Sequence, residues 1–243
     1  MLVANWKMNG SRALVNKWIE GVNSSIPEQI QSRCVFCPPT CFLYQASNLI
    51  KERDLKISLG AQDIDPISKT GLTGGISGFM LKELGCKYVI IGHSERRMHY
   101  KERNSLLIKK LLAAASEDLK IIFCIGESLQ DKDAGKTYNT LKKQLEVISK
   151  VENAKLIIAY EPVWAIGSNN PAEPAYIEEV HNGISEELKS LKINELLGIM
   201  YGGSVKMDSA KQILSLDNVD GLLIGGASLN EAEFSNIALS SSA

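Results

Sequence analysis

With 243 residues, 44% of them hydrophobic, the chain has enough material for a large buried core, arranged either as one α/β barrel or as two smaller domains. A formal net charge of -1, with both signs interspersed, supplies neither a basic face for nucleic acid nor an acidic solvating tail. The opening apolar run stops at Asn5, and no later run approaches the ~18 apolar residues of a membrane span, so a soluble, cytoplasmic protein without nucleic-acid or membrane partners is expected.

Leu2-Val3-Ala4-Asn5-Trp6 reads as a short strand, with Asn5 and Lys7 at its end and Asn9-Gly10 as a turn. Ser11 can cap a helix that carries Leu14, Trp18, Ile19 and Val22 on one face. The unit repeats: Cys34-Val35-Phe36-Cys37 is halted by Pro38-Pro39, and Thr40 is placed to cap a helix reaching about Arg53. A third strand, Ile57-Ser58-Leu59-Gly60-Ala61, ends at Gln62. The loop 63–75 that follows is long enough to suggest a functional or interface role, and a short helix through Met80, Leu81 and Leu84 comes after it.

Tyr88-Val89-Ile90-Ile91-Gly92 is a continuous apolar strand ending in His93-Ser94-Glu95-Arg96-Arg97, and its helix runs through Leu106, Leu107, Leu111 and Leu112. Ile121-Ile122-Phe123-Cys124-Ile125 forms the fifth strand, ending at Gly126-Glu127, with Tyr138, Leu141, Leu145 and Ile148 on its helix. Leu156-Ile157-Ile158-Ala159-Tyr160 is the sixth, followed by a helix with Tyr176, Ile177, Val180, Ile184, Leu188 and Leu191 at helical spacing. Ile199 to Ser204 and Leu222 to Gly226 supply the seventh and eighth. Apolar strands alternating with amphipathic helices, eight times over this length, predict an α/β fold: a single closed barrel of eight parallel strands, each followed by a helix, as one domain over 1–243.

Five cysteines, Cys34, Cys37, Cys41, Cys86 and Cys124, are odd in number and scattered through apolar segments, which fits reduced core thiols. Cys34 and Cys37 have the spacing of half a zinc site, but no second pair completes it, so no metal is expected.

In such a barrel the carboxyl ends of the strands open on one face, so Asn5, Lys7, Gln62, His93, Glu95, Glu127, Glu161, Ser204 and the paired glycines converge around one mouth. Glu161 stands where a buried strand runs into Pro162, Val163 and Trp164; small residues, Gly167 and Pro171 follow, the composition of a mobile loop with defined ends. Taken singly, each residue has a plain reading: a paired surface carboxylate, a structural histidine, a solvated lysine, glycine turns. Together they form a set suited to proton abstraction next to a carbonyl in a phosphorylated substrate, with the glycine loops after strands seven and eight open to a phosphate. The glycines between Gly71 and Gly75 are a weak signal, since no buried strand leads straight into them.

The motifs Asn5-Trp6-Lys7-Met8-Asn9, Gly92-His93-Ser94-Glu95-Arg96-Arg97, Tyr160-Glu161-Pro162-Val163-Trp164-Ala165-Ile166-Gly167, Tyr201-Gly202-Gly203-Ser204-Val205 and Gly225-Gly226-Ala227-Ser228-Leu229 occur in this order along the chain. The sequence resembles the triosephosphate isomerase family from end to end. The resemblance implies interconversion of dihydroxyacetone phosphate and glyceraldehyde 3-phosphate in glycolysis and gluconeogenesis, without cofactor or metal. It implies Glu161 as base, His93 as carbonyl polariser, Lys7 as cation and Asn5 as a substrate-oxygen contact under a lid of about 163–172. It further implies Glu95 as a partner that positions Lys7, and phosphate binding by Gly167, Ser204, Gly225 and Gly226. A homodimer is implied through the 63–75 loop, with Thr73 and Arg96 at the interface. Two features depart from the family pattern: Asn170-Pro171-Ala172 at the lid exit and Gly75 in place of a glutamate at the loop tip. Two other readings fit the fold, a related phosphate-binding barrel isomerase and a catalytically inactive barrel that serves as a binding protein; the short lid weighs against the first, and the joint presence of Lys7, His93 and Glu161 against the second.

Overall fold

The structure, a computed structural model, describes residues 1–67, 71–167, 171–191 and 193–241. Eight strands, β1 Leu2–Asn5, β2 Cys34–Cys37, β3 Ser58–Ala61, β4 Cys86–Ile91, β5 Lys120–Ile125, β6 Lys155–Tyr160, β7 Glu195–Tyr201 and β8 Gly221–Ile224, pair in sequence order. All neighbours are parallel, and β8 returns to β1 through Leu2↔Leu222, Val3↔Leu223 and Ala4↔Ile224, which closes the barrel.

Alternation along each strand creates two cores. Val3, Val35, Ile90, Ile122, Cys124, Ile157, Ala159, Met200 and Leu223 fill the barrel interior. Residues of the opposite parity, such as Leu2, Ala4, Phe36, Phe123 and Tyr160, pack outward against the helices. The same alternation carried one step further turns Asn5, after Val3, and Glu161, after Ile157 and Ala159, toward the barrel axis at its open end.

The first helix, Arg12–Ser25, starts as expected, with Ser11 Oγ accepting the Leu14 N–H at 3.1 Å, and buries Val15, Trp18, Ile19 and Val22. Trp6 and Trp18 both donate their indole N–H to the Ser228 carbonyl, at 3.0 and 2.9 Å, tying the first β-α unit to the last. Thr40 does not cap a helix: it opens the 3₁₀ turn Thr40–Phe42, and the helix Leu43–Glu52 begins behind it. Met80, Leu112 and Tyr138 are substantially exposed, and Ile148 lies in a 3₁₀ turn, Glu146–Lys150, that follows the helix Thr137–Leu145.

β7 begins at Glu195, earlier than its apolar run suggests. The added residues pair with β6 while their side chains face solvent, and the register shifts where Gly198, at φ 145°, enters the pairing. Hydrogen bonding, rather than burial, defines that end. All five cysteines are free; four are buried, whereas Cys41 is exposed, contrary to the expectation of core thiols throughout. Cys34 belongs to the outer core and Cys37 to the inner one, so the two thiols point to opposite faces of β2.

Candidate active site

At the end of β1, Asn5 Oδ1 accepts the Lys7 backbone N–H at 3.1 Å and holds Lys7 at φ 52°, the left-handed region that a non-glycine residue enters at a cost of about 1–3 kcal/mol. The strained backbone aims the ammonium inward. Lys7 Nζ pairs with Glu95 Oε1 at 2.6 Å, and its stem lies along Gly225, where a Cβ would stand 3.3 Å from Lys7 Cε.

β4 leads through Gly92 into His93, which caps the helix Ser94–His99. Its Nδ1 accepts the Glu95 N–H at 3.3 Å, which leaves the ring proton on Nε2, and Nε2 donates to Glu161 Oε1 at 2.9 Å. The Ser94 N–H binds Glu161 Oε2 at 3.1 Å. Arg97 braces this turn with Nε on the Gly92 carbonyl at 2.8 Å and Nη2 on the Cys124 carbonyl at 2.9 Å.

Glu161 is 1% exposed and His93 5%. Burial alone would lower the His93 pKa, but the Glu161 charge, its hydrogen bond and Glu95 outweigh that and raise it. For Glu161 burial works upward, and it is overcome by His93, by the Ser94 N–H and by the Lys7 charge, so the carboxyl is held below its ordinary range. Glu161 is therefore a buried, ionised carboxylate at neutral pH.

Two glycines make room for it. A Cβ at Gly202 would come within 2.9 Å of Glu161 Cγ, and one at Gly126 would overlap the Glu161 carbonyl. After Pro162 the chain forms a 3₁₀ turn, Val163–Ala165, anchored by Trp164 Nε1 donating to Glu127 Oε1 at 2.7 Å. The same oxygen accepts the hydroxyls of Tyr160 and Tyr176, each at 3.1 Å. Glu127 is fully buried behind the barrel wall and does not face the mouth, contrary to expectation. Gly126 takes the inward position of β5, so its successor turns outward.

Ser204 Oγ donates to the Ala165 carbonyl at 2.7 Å, joining the loop after β7 to the turn after Glu161. Gly167 is exposed at φ 62°. Ser168, Asn169 and Asn170, part of the expected lid and its exit, lie outside the described residues; Ala172 is buried just before the helix Pro174–Ser190.

These side chains surround a cavity of about 310 Å³ that brings together Asn5, Lys7, His93, Glu161, Gly167, Ser204, Gly225 and Gly226. Lys206 and Glu233 also line it, and the sequence reading missed both. The signal available for Lys206 was its place two residues beyond Ser204; for Glu233 no local pattern pointed to the mouth.

A second cavity of about 650 Å³ adjoins the first, sharing Asn5, Lys7 and His93, and is also lined by Met8, Glu95, Arg96 and Tyr100. Arg96 binds Asp63 Oδ2 at 2.6 Å and Glu102 Oε1 at 2.9 Å, and the buried Lys110 completes the network with Glu102 at 2.7 Å. The loop is closed at its neck by Asp65 and Ile76, whose backbone bond is 2.9 Å long. Thr73 is exposed near the tip and lines neither cavity. At Gly75 a Cβ would lie 3.1 Å from Leu72 Cδ2 and 3.2 Å from Asp65 Oδ2, so the turn as formed favours glycine there. Residues 68–70 of this loop lie outside the described residues.

The triosephosphate isomerase family model matches residues 1–241. Triosephosphate isomerase of Buchnera aphidicola subsp. Cinara cedri is 38% identical over 244 residues, covering 98% of this chain and 96% of the relative. The corresponding protein of Psychromonas ingrahamii is 37% identical with the same coverage, and that of Herminiimonas arsenicoxydans is 39% identical over 240 residues, 96% of each chain. With the barrel closed and a buried glutamate, a histidine and a lysine at its mouth, the match over nearly the whole length means that the chain belongs to the triosephosphate isomerase family.

Proposed function

We propose that this chain interconverts dihydroxyacetone phosphate and D-glyceraldehyde 3-phosphate, with Glu161 moving the proton between adjacent carbons and His93 polarising the carbonyl. The observation that carries this reading is the buried Glu161 carboxylate, 2.9 Å from His93 Nε2 in a cavity that also holds Lys7 and the glycine loops. Glu161 takes the proton from the carbon beside the carbonyl, the electron pair becomes the enediolate double bond, and the carbonyl oxygen takes the negative charge. His93 Nε2–H and Lys7 stabilise that oxygen, Asn5 positions it, and Glu95 orients Lys7. His93 carries the hydroxyl proton from one enediol oxygen to the other, and return of the carbon proton from Glu161 to the other carbon, as a carbonyl forms on the oxygen that gave up its proton, completes the isomerisation.

The electrostatics change as the proton moves. The Glu161 charge and hydrogen bond are the largest effects that raise the His93 pKa against burial, so neutralising Glu161 removes them and favours the neutral imidazole, with a proton to donate from Nε2. Ser204 reaches a phosphate only by releasing the Ala165 carbonyl, which couples phosphate binding to movement of the lid over 163–172. Gly167, Ser204, Gly225 and Gly226 then hold the phosphate, and the covered site protects the enediolate from water.

The reading includes a cytoplasmic protein and a homodimer formed through the 63–75 loop, with Thr73 and Arg96 at its interface. A coupled assay with glyceraldehyde 3-phosphate tests the chemistry. Glu161→Ala is expected to lose at least the ~10²–10⁴-fold typical of general base catalysis while remaining folded. Near-normal isomerisation by that variant overturns the assignment.

A further inference from the structure

We propose that Lys206 is a substrate-binding residue that draws the phosphate dianion into the cavity, and that its charge is needed because Glu233 lines the same cavity. The inference rests on the reading of this cavity as a triose phosphate site. Lys206 follows the loop after β7 that carries Ser204; Glu233 comes from the helix Glu231–Ser240 beyond β8.

The backbone of Lys206 is pinned. Its N–H donates to Ser209 Oγ at 3.1 Å, and its carbonyl accepts from the same hydroxyl at 3.1 Å. The side chain is exposed, and among the described residues no carboxylate lies within 4.0 Å of its ammonium. Lys7, the other cation of the cavity, is committed to Glu95 at 2.6 Å. Glu233 is half-buried, receives no salt bridge among the described residues, and has its own backbone N–H tied to Asn230 Oδ1 at 3.0 Å. Two uncommitted charges of opposite sign thus share one cavity with the loops of Ser204, Gly225 and Gly226. A phosphate dianion arriving there meets repulsion from Glu233; Lys206 offsets it and leaves the hydroxyl and backbone groups to bind.

Equilibrium titration with inorganic phosphate, alongside steady-state kinetics, tests this. Lys206→Gln is expected to weaken phosphate binding about threefold to tenfold, raise KM for glyceraldehyde 3-phosphate comparably and leave kcat within about twofold. It should also flatten the fall of kcat/KM with added salt, because the attraction it removes is screened over about 8–10 Å at ordinary ionic strength. Turnover of glyceraldehyde, which lacks the phosphate, should stay within about twofold of wild type. Glu233→Gln should tighten phosphate binding, and the double variant should return toward wild type. Unchanged phosphate binding in Lys206→Gln, an equal loss with glyceraldehyde, or weaker binding in Glu233→Gln overturns the proposal. The phosphate titration does not depend on turnover, so an inactive wild type would count against the isomerase reading and leave this inference to the binding result.

Discussion

Glu161 owes its position as much to absent atoms as to hydrogen bonds. Its carboxylate is held by His93 and Ser94 on one side, and on the other Gly202 yields the volume that a Cβ would occupy 2.9 Å from Glu161 Cγ. Gly202→Ala is therefore expected to displace the Glu161 carboxylate and, if it is the base proposed above, cost on the order of 10²-fold in kcat, the effect of a misplacement near 1 Å, with the barrel still folded. Kinetics together with circular dichroism check this, and full activity would show that the site has slack. The glycine pair in Gly202-Gly203 read in sequence as a turn open to phosphate. In the structure its first member makes room for the Glu161 side chain, and the distinction depends on an approach between β6 and β7 that no local pattern encodes.

At the scale of elements, the packing of the helix Pro174–Ser190 against β6 and β7 introduces a second, structural histidine. His181 is fully buried between Tyr160 and Tyr201; its Nδ1 lies 2.8 Å from the Asn218 carbonyl, while Nε2 has no partner among the described residues. Burial lowers its pKa, against the smaller opposing effects of the Asn218 hydrogen bond and the Asp220 charge. The folded state then binds fewer protons than the unfolded chain, so His181 contributes stability above the unfolded pKa of about 6.5 that is lost as pH falls below it. His93, whose pKa is raised, contributes in the opposite sense: stability present below about 6.5 and lost as pH rises past its folded value. Comparing wild type with His181→Gln separates the two. The urea midpoint of wild type should fall more between pH 7.5 and pH 5.5 than that of the variant; equal falls would remove His181 as the cause. The sequence marked His93 by its place at the end of an apolar strand, and nothing local distinguished the interior site of His181.

For the whole molecule, the face beside the active-site mouth has the character of an interface. Met8 is 95% exposed and Tyr100 71%, both line the second cavity, and Leu72 is 49% exposed near the tip of the 63–75 loop. Large apolar side chains grouped in this way are costly to leave in water. A dimer is expected by light scattering at micromolar concentration, and Met8→Lys combined with Tyr100→Lys should shift it toward monomer; a monomeric wild type refutes the reading. Arg96, expected at this interface, is already fixed within its own chain by Asp63 and Glu102, so it would meet a partner as a preoriented group.

The sequence by itself determined the eight β-α units and the residues that end them, because continuous apolar strands, amphipathic helices and strand-end polar residues are local patterns. It also placed Asn5, Lys7, His93 and Glu161 on one face, since parallel strands send their carboxyl ends the same way. Only the tertiary structure decided which side chains use that face. Inward parity at Gly126 turned Glu127 away from the mouth to anchor Trp164, and closure of β8 against β1 brought Gly225 beside Lys7. The chain after β7 and the helix after β8 brought Lys206 and Glu233 to the same cavity. These outcomes depend on contacts between residues far apart in the chain, where the identity of one residue sets the space left for another.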